Sequence, residues 1–573
     1  MHLRPTAPRF ASAVAVAGLL CLIAGPRTST GADEDAPPAL PAPPKAAKAI
    51  DEAALAARID ELISAKWKGE GVRPAEASDD SEFLRRAYLD LAGRIPRVAE
   101  TREFLADGDS QKRTLLIDRL LKSPDYARNF ARVWRERMLP ASLTRPEAMG
   151  SGPTLEAWLH RRARENATFD KIVRELLSAP LTEVSRVRMS TSGDYRPDDP
   201  GPNAFYQAHE MKAENLAAGT ARLFLGVNLE CAQCHNHPQA EWTKVQFWEY
   251  AAFFWDLQLE QRGSMGRGKR VLKDDPNGGR MVVRELILPG TTRAITPKFL
   301  DGATPRWTGD FDARTALGDW VTSKENPFFA RAVANKVWAH MFGIGILEPV
   351  DEPAPENPPS HPELLDELAS QFVAHGYDVK YLLRAIAASK TYQLSSKAVT
   401  GGQGAPEKPR LFARMALKGL TPEQLFDSIA LATGYREPQQ AQAANGPVLA
   451  IGMGETTPRS QFVARFADPA ARKTESNTTI LQALLLMNGS FTNEATNADR
   501  SELLAAVVEA PFLDPKSKVE TLYMATLSRP PRPDELSKVA GYIEKGGPSG
   551  DRKKAIADVM WALLNSGEFI VNH

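Results

Sequence analysis

The sequence is poor in cysteine, balanced in charge, and without a long apolar run beyond its first thirty residues. Lys+Arg and Asp+Glu both number 71, so no basic surplus exists to neutralise a phosphate backbone, and nucleic-acid binding is not expected as the main task. One of the three cysteines, Cys21, lies in the N-terminal apolar stretch, which leaves at most one intrachain disulfide elsewhere. Stability must therefore come from a packed core. No Walker-type loop, no His-Glu-x-x-His pair and no Gly-x-Ser-x-Gly elbow occurs. What is present is globular composition: 43% hydrophobic and 25% charged residues exclude a disordered or collagen-like chain. A length of 573 residues exceeds one ordinary core and fits two to four domains.

The N-terminus has a cationic head with Arg4 and Arg9, an apolar run from Phe10 to Ala24, and a small-residue exit. That order reads as a secretory signal peptide over residues 1–32, cut near Ala32 with Thr30 and Ala32 flanking the bond. The apolar run is shorter than the roughly 20 residues a spanning helix needs; an uncleaved anchor is the alternative. Leu20 precedes Cys21 where a lipoprotein needs a small residue, so lipidation is discounted. Cleavage removes Arg4, Arg9 and Arg27 and leaves a small acidic excess. The expected destination is the periplasm or cell surface, with no transmembrane span after cleavage.

Residues 33–48 form a Pro/Ala-rich tether. Helical periodicity then sets in. Phe83, Leu84, Tyr88 and Leu91 share one face; Tyr126, Phe130, Val133, Trp134 and Met138 share another; Phe169, Ile172, Val173, Leu176 and Leu177 repeat the amphipathic pattern. Ser123-Pro124 supplies a cap and a first-turn proline. A polar loop is expected at 181–203, helix again at Ala213–Phe224, and a β-hairpin from Arg270 to Leu288 around an Asn-Gly turn. Further helical stripes run through Ala330–Met341 to a stop at Gly343, through Leu364–Phe372 and through Leu382–Ile386. Another helix opens at Thr421-Pro-Glu-Gln, a loop follows at 434–457, and three helices close the chain from Leu481 to Phe569. The expected architecture is mainly α: two helical domains at 49–260 and 305–573, with a small β-hairpin insertion at 261–304 between them.

One motif carries chemistry. Residues 231–238 read Cys-Ala-Gln-Cys-His-Asn-His-Pro, and Cys231, Cys234 and His235 make the C-x-x-C-H signature of c-type haem attachment. Two thiols one short turn apart can reach both vinyl groups of one porphyrin, and the adjacent imidazole is then placed to bind the iron. Export fits this chemistry. Two other readings use the same residues. Zinc or non-haem iron could be held by Cys231, Cys234 and His235 or His237, with His209 or Glu210 completing a set of four, as in a metal-dependent envelope enzyme. Alternatively, Cys231 and Cys234 could close a disulfide in a non-catalytic surface module. Candidates for a sixth haem ligand are His209, Met211, Met265, His340 and Met341, with nothing in the sequence to separate them. Trp242, Phe247, Trp248, Phe253, Phe254 and Trp255 read as core or as the wall of a haem pocket. Asp351, Glu352 and Glu356 near His361 read as a structured loop rather than a carboxylate–histidine site, and Asn326, Arg331 and Asn335 as capping and buried hydrogen bonding.

The stretch from Phe224 through Cys231-Ala-Gln-Cys-His-Asn-His-Pro, with Trp242-Thr and Ala251-Ala-Phe-Phe, resembles the planctomycete cytochrome-like domain of unknown function. Leu84-Arg-Arg-Ala-Tyr-Leu-Asp-Leu-Ala-Gly-Arg-Ile-Pro and Leu120-Leu-Lys-Ser-Pro-Asp-Tyr are similar to its opening. Asn326-Pro-Phe-Phe-Ala-Arg-Ala-Val-Ala-Asn-Lys-Val-Trp, Asn357-Pro-Pro-Ser-His-Pro-Glu-Leu-Leu and Trp561-Ala-Leu-Leu-Asn-Ser-Gly-Glu-Phe resemble the planctomycete surface-type domain of unknown function. The resemblance covers nearly all of the chain after the tether. It implies one covalent haem on Cys231, Cys234 and His235, no second haem, and a redox partner or envelope protein as the interaction. Gln239, Ala240 and Glu241 depart from the aromatic, acidic and basic residues that relatives commonly carry there.

Overall fold

Short polar side chains start the helices, and the structure places them where their spacing predicts. Ser123 Oγ accepts the Tyr126 amide at 3.2 Å with Pro124 in the first turn, opening the helix Pro124–Met138. Thr421 and Gln424 form a reciprocal capping box at the head of Pro422–Thr433. The helix Phe329–Phe342 stops at Gly343. The computed structural model describes residues 40–140, 151–180, 201–238, 240–255, 257, 268–275, 279–306, 312–352, 357–397, 408–436, 457–466 and 486–573. The N-terminal apolar run, residues 33–39 of the tether, the polar loop at 181–200, the Asn-Gly turn, residues 437–456, Met265 and Glu356 lie outside them. Among the described residues no helix is long and apolar enough to cross a membrane.

The chain is mainly helical, and its apolar stripes are buried as the periodicity requires. Phe83, Leu84, Tyr88, Trp134 and the Phe169–Leu177 face join one core that runs from Leu55 to Met415. A second core gathers Leu420 to Phe569 and takes in Leu89 and Ile95 from the N-terminal part. Packing therefore changes core near residue 416. The segment expected as a seam is held inside the first core: Leu286, Leu288, Ile295 and Leu300 belong to it. Phe299 lies between Phe253 and Trp320, 4.9 Å from each ring. The described residues form one compact unit.

The hairpin is present as Gly268–Asp275 against Gly279–Ile287, extended by a third short strand, Ala294–Ile295. A two-residue pair that the sequence did not announce, Lys418–Gly419 with Val571–Asn572, ties the start of the second core to the chain end. Five helices, where periodicity predicted three, stand at the C-terminal end among the described residues: Ser490–Ala495, Glu502–Glu509, Pro515–Leu527, Pro533–Lys545 and Arg552–Leu564. The physical reason is capping. Ser501, Asp514 and Asp551 each accept amides of a new first turn, cutting a continuous apolar period into shorter pieces.

Polar bonds at the buried end of Asp80–Ala87 join the two cores. Arg85, fully buried, donates to the carbonyls of Thr526 and Phe569 at 2.9 and 2.6 Å. Arg86 donates to the carbonyls of Tyr392 and Leu394 and pairs with Glu82 at 2.7 Å. The helix continues into a π-helical turn, Tyr88–Ala92, that carries Asp90. The buried Asp90 carboxylate accepts from Lys418 Nζ at 2.6 Å, Tyr392 Oη at 2.7 Å and Asn572 Nδ2 at 2.7 Å. Its carbonyl accepts from Asn129 Nδ2 and His340 Nε2, both at 2.8 Å.

Two outcomes test this frame. Asp90→Ala leaves the buried Lys418 ammonium without its carboxylate and should cost about 3–5 kcal/mol in urea unfolding, whereas Asp90→Ala with Lys418→Met should cost less than the two single changes summed. Burial holds the His340 and His361 imidazoles down to about 4, from an ordinary value of 6.5. The unfolded chain thus binds extra protons between about 6.5 and about 4, and stability falls as pH drops through that window. His361 Nε2 has no hydrogen-bond partner among the described residues, and its ring lies 5.5 Å from that of Phe412. His361→Phe should therefore show a smaller loss of urea midpoint on acidification than the parent chain; an equal loss would remove His361 from the linkage.

Candidate functional site

The segment ahead of the motif is anchored before the cysteines begin. The helix Ala213–Thr220 runs into a π-helical turn, Ala221–Leu225, and closes at Gly226 with φ 65°. A Cβ at Gly226 would lie 3.1 Å from that of Ala332, so glycine serves both the left-handed turn and the close approach of Phe329–Phe342. From that helix the buried Lys336 donates to the carbonyl of Arg222 at 3.1 Å and pairs with Asp351.

Residues Glu230–Gln233 then form a single 3₁₀ turn followed by Cys234. Cys231 thus lies within the turn and Cys234 directly after it. Both are exposed free thiols. Neighbouring groups hold the turn. Trp248 Nε1 donates to the Gln233 carbonyl at 3.0 Å, Asn228 Oδ1 accepts the Glu230 amide at 3.1 Å, and Asn236 Oδ1 accepts the Lys244 amide at 2.9 Å. The following helix, Lys244–Ala251, is itself fixed by a Thr243/Gln246 capping box.

His235 is exposed, and its Nδ1 donates to the Asn236 carbonyl at 2.7 Å. That bond makes Nε2 the lone-pair nitrogen, the arrangement in which an imidazole ligand is held by a backbone carbonyl. His237 is turned to structure: its amide donates to the Trp242 carbonyl at 2.8 Å, and its Nδ1 accepts the Ala240 amide at 2.9 Å. Partial burial lowers its pKa, the adjacent His235 adds to this, and Glu352 opposes it.

The remaining candidates are dispersed. His209 is buried, with Nδ1 bonded to the Phe205 carbonyl at 2.9 Å; a Cβ at Gly219 would lie 2.5 Å from its Nε2, so that glycine makes room for the ring. Glu210 pairs with Lys212 at 2.7 Å, and Met211 packs against the first core. His340 Nε2 is committed to Asp90 and Met341 is fully buried. Among the described residues no group of three or more His, Cys, Asp and Glu is arranged to hold a metal ion. Trp242, Phe247, Trp248, Phe253, Phe254 and Trp255 are all buried as core. Asn326 Oδ1 caps Phe328 and Phe329, Asn335 bonds both ways with Leu347, and Arg331 donates to the Ala42 carbonyl. These three residues are structural, as read.

The donor set suits a c-type haem in two respects: both thiols are free and exposed, and the neighbouring imidazole already has its Nδ1 engaged. Sequence reading missed the Trp248 bond, because an indole among other core aromatics carries no mark of the carbonyl it will meet.

Comparison with known proteins gives two family matches. Residues 58–258 match the family described as Protein of unknown function (DUF1549), and residues 313–543 match Protein of unknown function (DUF1553). No curated protein and no solved structure matches the chain. The chain thus carries two domains of unknown function in succession, with Cys231, Cys234 and His235 in the first.

Proposed function

We propose that the chain is an exported c-type haem protein of the cell envelope, in which Cys231 and Cys234 hold one haem as thioethers and His235 Nε2 binds its iron. The observation that carries the reading is the pairing of two free, exposed thiols, one in a 3₁₀ turn and one directly after it, with an imidazole whose Nδ1 is bonded to the Asn236 carbonyl. The haem, when bound, supplies one-electron chemistry. The chain supplies the placement. Trp248 and Asn236 hold the turn, and Lys336 anchors the segment before it. Because all three attachment residues are exposed, a redox partner protein reaches this face without any opening of the fold. Electron transfer is the activity that such an accessible site supports best.

Expression of the full chain in a bacterial host that matures c-type cytochromes should yield one haem per chain, retained through acid–acetone extraction and lost in Cys231→Ser with Cys234→Ser. An exported product with both thiols alkylatable and no haem mass would overturn the reading. Stoichiometric zinc or iron without porphyrin would support the metal-enzyme alternative, and a Cys231–Cys234 disulfide the surface module. Trp248→Phe removes one hydrogen bond, worth about 1 kcal/mol, from the turn while keeping most of the buried ring. It should lower haem occupancy while leaving the far-ultraviolet circular dichroism unchanged.

A further inference from the structure

An open cavity of about 520 Å³ lies where three helix ends converge: the start of Pro124–Met138, the end of Ser151–Arg164 and the start of Val379–Ala388. Its volume falls within the range of small-ligand sites. Its lining, however, is rich in cations: Lys122, Arg128, Arg164 and Lys380 face it, with the His160 imidazole among them.

One nearby carboxylate engages a lining residue, and the others are bonded outside the cavity. Asp125 is shared between Arg94, at 2.7 Å, and Arg128. Glu156 is shared between Arg135, at 2.6 Å, and Arg132, at 3.5 Å. Asp378 caps its helix by accepting the Lys380 amide at 2.8 Å. Arg162 has Glu165 and Glu175 as partners, but Arg164 and Lys122, both exposed, have no carboxylate partner among the described residues. Lys380 Nζ bonds to Asn166 Oδ1 and stands 4.9 Å from the centre of the Tyr126 ring, which holds its charge at the cavity. The starts of two helices add partial positive charge, partly offset by the end of Ser151–Arg164. Burial pushes the His160 imidazole below its ordinary value, Arg164 and Arg128 push it further, and Glu156 opposes them.

We propose that this cavity binds a small ligand bearing a phosphate or sulfate ester group, through Lys122, Arg164 and Lys380. The guanidinium fork of Arg164 matches two oxygens of a tetrahedral anion, the two ammonium groups act as point charges around it, and Arg128 stays paired with Asp125 beside them. The site is built from residues separate from Cys231, Cys234 and His235, so it stands whether or not haem is attached.

Isothermal titration of the purified full chain with inorganic phosphate and with inorganic sulfate tests the proposal. Saturable one-site binding is expected, weakened at least about tenfold by Arg164→Glu and by Lys122→Glu, each a lost charge-assisted contact. Unchanged thermal midpoints without anion would show that both variants fold. In a nuclear magnetic resonance titration, bound anion should raise the pKa of His160, and so should Arg164→Ala alone. Tighter phosphate binding points to a phosphate ester and tighter sulfate binding to a sulfate ester. Absence of saturable binding by both anions, or equal binding by the parent and the charge-reversed chains, overturns the proposal.

Discussion

A carboxylate taken out of water must find its donors inside the protein, and Asp90 finds them at widely separated places in the chain. Lys418, Tyr392 and Asn572 reach its oxygens, while Asn129 and His340 reach its carbonyl. Each donor arrives on a different segment, so satisfying this one residue aligns the helix Pro124–Met138, the helix Phe329–Phe342 and the short strand pair at the chain end. Leaving any donor out strands a buried polar group at a cost comparable to a sizeable share of a domain's net stability. Arg85 and Arg86 act in the same way one turn earlier. They donate to carbonyls of the second core and of the segment around residue 393. The π-helical turn at Tyr88–Ala92 lies at the centre of this arrangement.

The same frame reaches the cysteine motif. His340, bonded to Asp90, lies one turn beyond Lys336 on a single helix, and Lys336 holds the carbonyl of Arg222 just before the motif. From the other side, Trp248 and the capped helix Lys244–Ala251 hold the 3₁₀ turn. Exposed, chemically capable side chains are thereby mounted on a backbone that is tied at both ends, the usual way a rigid scaffold carries a site on a loop. The aromatic residues that follow the motif are part of the scaffold, since all are buried.

The two family matches end at 258 and begin again at 313, yet the hydrophobic cores divide near residue 416. Sequence families record segments that travel together in a chain; a core records which apolar faces meet. Here the second family's first helices, Ala313–Val321 and Phe329–Phe342, bury their faces against the first family's helices, and Leu89 and Ile95 cross in the opposite direction.

By itself the sequence determined the helical class, the positions of the long amphipathic helices, the hairpin and the C-x-x-C-H spacing. All of these are local: periodicity, caps such as Ser123 and Thr421, and two thiols three residues apart are properties of neighbours. Tertiary structure alone decided the boundary between the cores, the Lys418–Gly419 pairing with Val571–Asn572, the five C-terminal helices in place of three, the burial of His209, the bond of His340 to Asp90, and the gathering of Lys122, Arg164 and Lys380 around one cavity. Those features rest on partners tens to hundreds of residues apart, such as Asp90 with Asn572, and no local pattern encodes which distant donor a buried acceptor will meet.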